Sequence, residues 1–118
     1  MKYPLFPQNE LIEALVNRNI ECLFGKYGYE LPPSWKIKEY ITIDRQQIAA
    51  YLKTKPELAI DYFKRHSVAT PHHDTQIIWK QGDYYYTAWM DHGTRTSVTE
   101  HKTIEAAVAD DIATVFNI

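Results

Sequence analysis

Cysteine is almost absent: Cys22 stands alone among 118 residues, so no intramolecular disulfide and no cysteine-based zinc centre can form. A lone thiol fits a reducing compartment, and the expected location is cytoplasmic. Long apolar runs are missing as well. Nowhere do eighteen apolar residues follow one another, and the opening MKYPLFPQNE carries two prolines and no apolar signal core, so a soluble, unexported chain without membrane contact is expected. There is no basic excess. A net charge of -2 and a pI near 6.2 argue against a general nucleic-acid binder, which carries a positive surplus, although a basic protein partner is compatible. Glycine is scarce, and Gly25 and Gly28 in GKYG lack the spacing of a phosphate-cradling loop. Repeats, low-complexity tracts and long charge blocks are lacking too.

What is present is globular: 45% hydrophobic with 24% charged residues at this length predicts a single domain over residues 1–118 with a core of ordinary size. Nine Tyr, four Phe and three Trp exceed the needs of a small core and point to an interaction surface. The densest stretch is DTQIIWKQGDYYYTAWMDHGTRTSVTEH, residues 74–101. Strand formers broken by Gly82 and Gly93 predict a three-stranded antiparallel meander over Thr75–Lys80, Tyr84–Asp91 and Arg95–His101. With Gly82-Asp83 as the two turn residues, Trp79 falls opposite Tyr86 and Ile77 opposite Ala88. That face, with Tyr84 and Met90, is expected to be the core wall, buried under Leu15, Val108 and Ile112. The reverse face carries Gln76, Ile78, Lys80, Tyr85, Thr87, Trp89 and Asp91.

Around the meander the pattern is helical. An arm over residues 1–8 precedes a helix capped by Asn9 and running to about Phe24, with Cys22 on its apolar side. WKIKEYITID, containing Trp35–Ile43, alternates well enough to read as a fourth strand, with a short helix as the competing reading. Asp44 and Gln47 form a capping pair for a helix through Leu52, and Pro56 starts another that ends at His66. Thr103 caps a last helix with Ile104, Val108, Ile112, Val115 and Phe116 inward and Asp110 and Thr114 outward. The fold class is α+β: an antiparallel meander packed against an N-terminal helix, a central helix pair and a C-terminal helix.

Chemistry-bearing groups are sparse. His72, His73 and Asp74, with Asp91 and His92 near them across the meander, are the obvious metal lure, but they lack fixed ligand spacing, and a solvated polar loop without metal or other cofactor is expected. His66, close to a helix C-terminus, is expected to satisfy end carbonyls. Ser34, Ser67 and Ser97 lie in no nucleophile motif and the carboxylates are scattered, so no enzyme is expected. Tyr85, Trp89 and Asp91 project from one side of the central strand, where aromatics anchor a partner and a carboxylate meets a cation, and form the candidate partner-binding set.

The run IIWKQGDYYYTAW, a glycine turn, a polar strand and a helix opening KTIEAAVADDI resemble the immunity proteins of bacterial polymorphic-toxin systems, contact-dependent growth inhibition among them. The likeness covers residues 75–116 and is one of element order and composition, so no residue's role is transferred. It implies a cytosolic, non-catalytic inhibitor that binds one cognate toxin, often a nuclease, by covering its active site or substrate path; apart from the likeness, neither a small-molecule ligand nor direct nucleic-acid contact is expected. Two other readings stand beside it: a small regulatory or structural partner protein of another system, and a small hydrolase using the His72/His73/Asp74 region.

Overall fold

The computed structural model describes residues 5–67 and 74–118. Within them the order is helices α1 (Gln8–Val16) and α2 (Ile20–Lys26), a 3-10 helix (Ser34–Tyr40), α3 (Arg45–Thr54), α4 (Pro56–His66), strands β1 (Thr75–Gln81), β2 (Tyr84–Asp91) and β3 (Thr94–His101), and α5 (Ile104–Val115). This is the expected α+β architecture, a single antiparallel sheet in the order β1-β2-β3 against helices.

The helix expected to run unbroken to Phe24 is two helices, and it starts after Pro7 with no side-chain cap from Asn9. The break is a Schellman motif. Asn19 N–H donates to Ala14 O and Arg18 N–H to Leu15 O, with Arg18 in the left-handed region at φ 52°. Glycine usually fills that position, and its absence hid the stop. The break resets the helical phase, which puts Cys22 on the exposed side instead of the buried one.

The run Trp35–Ile43, favoured as a strand, begins as the 3-10 helix, so the described residues contain no fourth strand. Pro33 supplies an extended residue whose carbonyl accepts from Lys36 N–H at 2.8 Å, starting a tight turn. The chain then extends and buries Ile41 and Ile43. Asp44 and Gln47 make the reciprocal capping box of α3, each bond 2.8 Å long. Pro56 opens α4, and Thr103 Oγ1 accepts from Ala106 N–H to cap α5.

The sheet has the expected register, Trp79 opposite Tyr86 and Ile77 opposite Ala88. Gly82, at φ 64°, takes the first position of one two-residue turn; His92 and Gly93, at 49° and 81°, form the other as a type I′ pair. The orientation of the sheet is the reverse of the expected one. Ile78 belongs to the main core, Thr87 bonds α5, and the Tyr85 ring meets Phe63 of α4, so the helices cover the Ile78–Thr87 face and leave Trp79 and Tyr86 on the outer side. Both faces of β2 carry aromatics, so alternation alone could not choose between them; the polar handles on α5 do.

Helix α5 lies between the other helices and all three strands, and residues Ala107 to Ala113 are buried around its whole circumference. Asp110 is therefore inside rather than on the outer side, while Val115 is exposed. The alanines at 107, 109 and 113 let neighbours approach on every side.

Candidate interaction surface

The outer sheet face is built by strand alternation, which places Ile77, Trp79, Tyr84, Tyr86, Ala88 and Met90 on one side. Trp79 and Tyr86 stack with ring centroids 5.4 Å apart and planes 15° from parallel, a direct cross-strand pair. Arg95 comes from β3 opposite Met90 and sets its guanidinium 4.1 Å from the Trp79 ring centroid. Tyr86 donates its hydroxyl to Glu100 at 3.3 Å. Desolvation, then the Glu100 charge and hydrogen bond, holds that phenol above its ordinary pKa, so it stays a donor. Ala88 and Met90 are buried yet stand apart from the main core, forming a thin second apolar layer on this side. Tyr84 at 40% and Val98 at 53% exposure lie open. A flat aromatic surface with a cation and an anion at its β3 margin results.

The three residues expected to bind a partner do share a face, but the structure separates them by environment. Tyr85 is half-buried, its ring edge-on to Phe63 at 5.5 Å and the Lys80 ammonium 5.5 Å from its centroid, which makes it a rim of the core. Trp89 is exposed, between Gln76 and Thr96 on the neighbouring strands. Asp91 is exposed at the strand end, paired with His92 Nδ1 at 2.6 Å.

His92 also donates its backbone N–H to Asp74 Oδ1 at 3.1 Å, and ligand-capable atoms of Asp74, Asp91 and His92 lie within 4.8 Å of one another. These bonds tie the base of β1 to the β2–β3 turn, a sufficient reason for the cluster. His72 and His73 lie outside the described residues.

One polar constellation escaped the sequence reading. Asp110 accepts from Thr87 Oγ1 at 2.5 Å, with Arg45 Nη1 at 3.1 Å and His101 Nε2 at 3.4 Å. Because the single Thr87 proton goes to Asp110, His101 Nε2, 3.0 Å from Thr87 Oγ1, is the donor there. Asp111 accepts from Tyr62 OH at 2.5 Å, and Arg18 bridges both, 2.8 Å from that hydroxyl and 3.7 Å from the carboxylate. Burial raises the Asp111 carboxyl pKa, outweighing the Tyr62 bond and the Arg18 charge that lower it, and burial likewise raises Tyr62. His66, its ring 4.2 Å from that of Tyr62, is pushed down to about 4 by burial, then by the Arg18 and Arg65 charges. Its Nε2 has no hydrogen-bond partner among the described residues, so this nitrogen does not serve the end carbonyls. The carboxylates are turned toward α1, α3, α4 and the sheet, and their partners clamp α5 in register. The available signal was an Asp-Asp pair in the middle of a helix that is otherwise apolar from Ala106 to Ala113.

No family model matches this chain, nor does any curated protein or solved structure.

Proposed function

We propose that this protein is a non-catalytic immunity protein that neutralises a cognate bacterial toxin by one-to-one binding, with the outer sheet face as its principal contact. The observation that carries the reading is the aromatic face left uncovered by the helices: Trp79 stacked on Tyr86, Arg95 over Trp79, and Tyr84 open beside them. Tyr, Trp and Arg are the residues that dominate binding energy at protein interfaces, and a sheet holds them rigid, so little side-chain entropy is lost on docking. Trp89 and Asp91 point to the opposite, helix-bearing side and join the contact only around the open end of β2, while Tyr85 rims the core beneath it. The likeness to immunity proteins supplies the class of partner, and the acidic balance suits a basic toxin domain.

Titrating a candidate toxin domain, sought first among the products of neighbouring genes, against the purified protein tests the reading. Activity should fall linearly and vanish at one equivalent, and Tyr84→Ala, Tyr86→Ala and Arg95→Ala should each weaken inhibition while remaining folded. Inhibition that is substoichiometric and needs turnover refutes the binding mechanism.

A further inference from the structure

Among the described residues the sheet has two edges, β1 and β3, and β3 is the more exposed of them. From Thr94 to Glu100 every residue is exposed, and the packing of α5 on this strand is anchored at its end, His101, which lies beside Asp110. Its sequence, TRTSVTEH, is rich in strand formers and lacks proline and lysine; its guards are the charges of Arg95 and Glu100, which turn away a strand without the complementary pattern, and an irregular backbone. The irregularity is a bulge. Between the pairs Thr87–Thr99 and Trp89–Thr96, Ser97 and Val98 of β3 stand against Ala88 alone, with Ser97 at φ 53°.

That extra residue decides what the edge can pair with. Five positions apart, Arg95 and Glu100 would point to opposite faces of a regular strand. Here Arg95 opposes Met90 and Glu100 opposes Tyr86, so both lie on the outer face. We propose that β3 pairs antiparallel with β3 of a second copy of this chain, about a two-fold axis at the bulge, joining two sheets into one of six strands. In that register Arg95 faces Glu100 of the second copy and Glu100 faces its Arg95; Thr96 faces Thr99, and Ser97 faces Val98. The flanking pairs match in face and in backbone direction, because Arg95 and Glu100 oppose Met90 and Tyr86 of one alternation of β2 and Thr96 and Thr99 oppose Trp89 and Thr87 of the other. An odd offset permits this only when the strand carries one bulge; at the bulge itself the ladder is interrupted. The charge pattern is self-complementary, and the symmetry uses the pair twice. To form it, Arg95 turns from the Trp79 ring and Glu100 from the Tyr86 hydroxyl, both already on the same surface.

Sedimentation equilibrium over a wide concentration range tests this. The wild type should dimerise reversibly. Arg95→Glu and Glu100→Arg should each weaken dimerisation at least about tenfold, since each sets two like-charged pairs in register. The double variant should recover it, and an equimolar mixture of the two single variants should form a heterodimer, because every cross-pair is then again opposite in sign. Thr96→Pro should abolish association while helix content by circular dichroism is retained. A wild type monomeric at millimolar concentration overturns the proposal. So does a dimer indifferent to the charge exchange, which forms elsewhere, and so does β3 amide protection that arises only when the toxin is added, which gives the edge to the partner. The toxin titration of wild type and Tyr84→Ala reads the proposed function separately, since a monomer can still inhibit one-to-one and Tyr84 takes no part in the β3 pairing, whereas Arg95 belongs to both contacts.

Discussion

Arg18 holds the left-handed position that ends α1, a conformation costing a non-glycine residue roughly 1 kcal/mol or more. Its guanidinium lies between Tyr62 and Asp111, which gives a reason for the residue there. Replacing Asp111 by Ala leaves the buried Tyr62 hydroxyl without its acceptor and should destabilise the fold by about 1–3 kcal/mol, read from urea unfolding. His66 predicts a pH dependence. Its pKa falls from 6.5 to about 4 on folding, so the unfolded chain binds more protons between those values, and the histidine's contribution, complete above about 6.5, is lost as pH falls toward 4. Asp111 acts with the opposite sign: its raised carboxyl favours the fold at acid pH and loses that contribution as pH rises. Comparison with His66→Phe, which keeps a ring against Tyr62, isolates the histidine share. Melting temperature should fall less for the variant than for wild type between pH 6.5 and 4.5.

The sheet faces give a prediction at the scale of elements. Ile78 sits 2% exposed in the main core, so Ile78→Ala should cost about 2–5 kcal/mol. Trp79 is half-buried on the outer side, where its stacking on Tyr86 and its contact with Arg95 add about 1–2.5 kcal/mol to the apolar area it buries. A charge separates the faces better than truncation: Ile78→Asp should unfold the protein while Tyr84→Asp, on the open outer face, leaves it folded, and the reverse order in equilibrium unfolding would mean that the helices cover the outer face. The hairpins were legible in the sequence because glycine marks their turns and the period of two fixes the register once a turn is placed. The covered face was not, because it depends on which surface meets Asp110, sixteen or more residues beyond the β2–β3 turn. Helix caps at Asp44, Pro56 and Thr103 were legible for the local reason that their signals act within one turn. The stop at Arg18 and the 3-10 turn after Pro33 use backbone states that these residue types do not announce.

At the scale of the molecule, polar groups are divided between two tasks. The Asp110 and Asp111 network faces inward and fixes α5 against the sheet and the helices, while Arg95, Glu100 and the outer aromatics face outward on the rigid sheet that α5 supports. Of the candidate set drawn from sequence, Trp89 and Asp91 are exposed and Tyr85 is drawn into the core rim; the aromatic face was visible in composition but had been assigned to the interior. The most direct test of the proposed role is calorimetric titration of the toxin domain with wild type, Tyr86→Ala, Arg95→Ala and Trp89→Ala, each first shown to be native by its unfolding curve. One-to-one binding is predicted, with Tyr86→Ala or Arg95→Ala weakening affinity by about 2 kcal/mol or more, as removal of a central anchor does. Wild-type affinity in both outer-face variants, or no binding by the wild type, would contradict it.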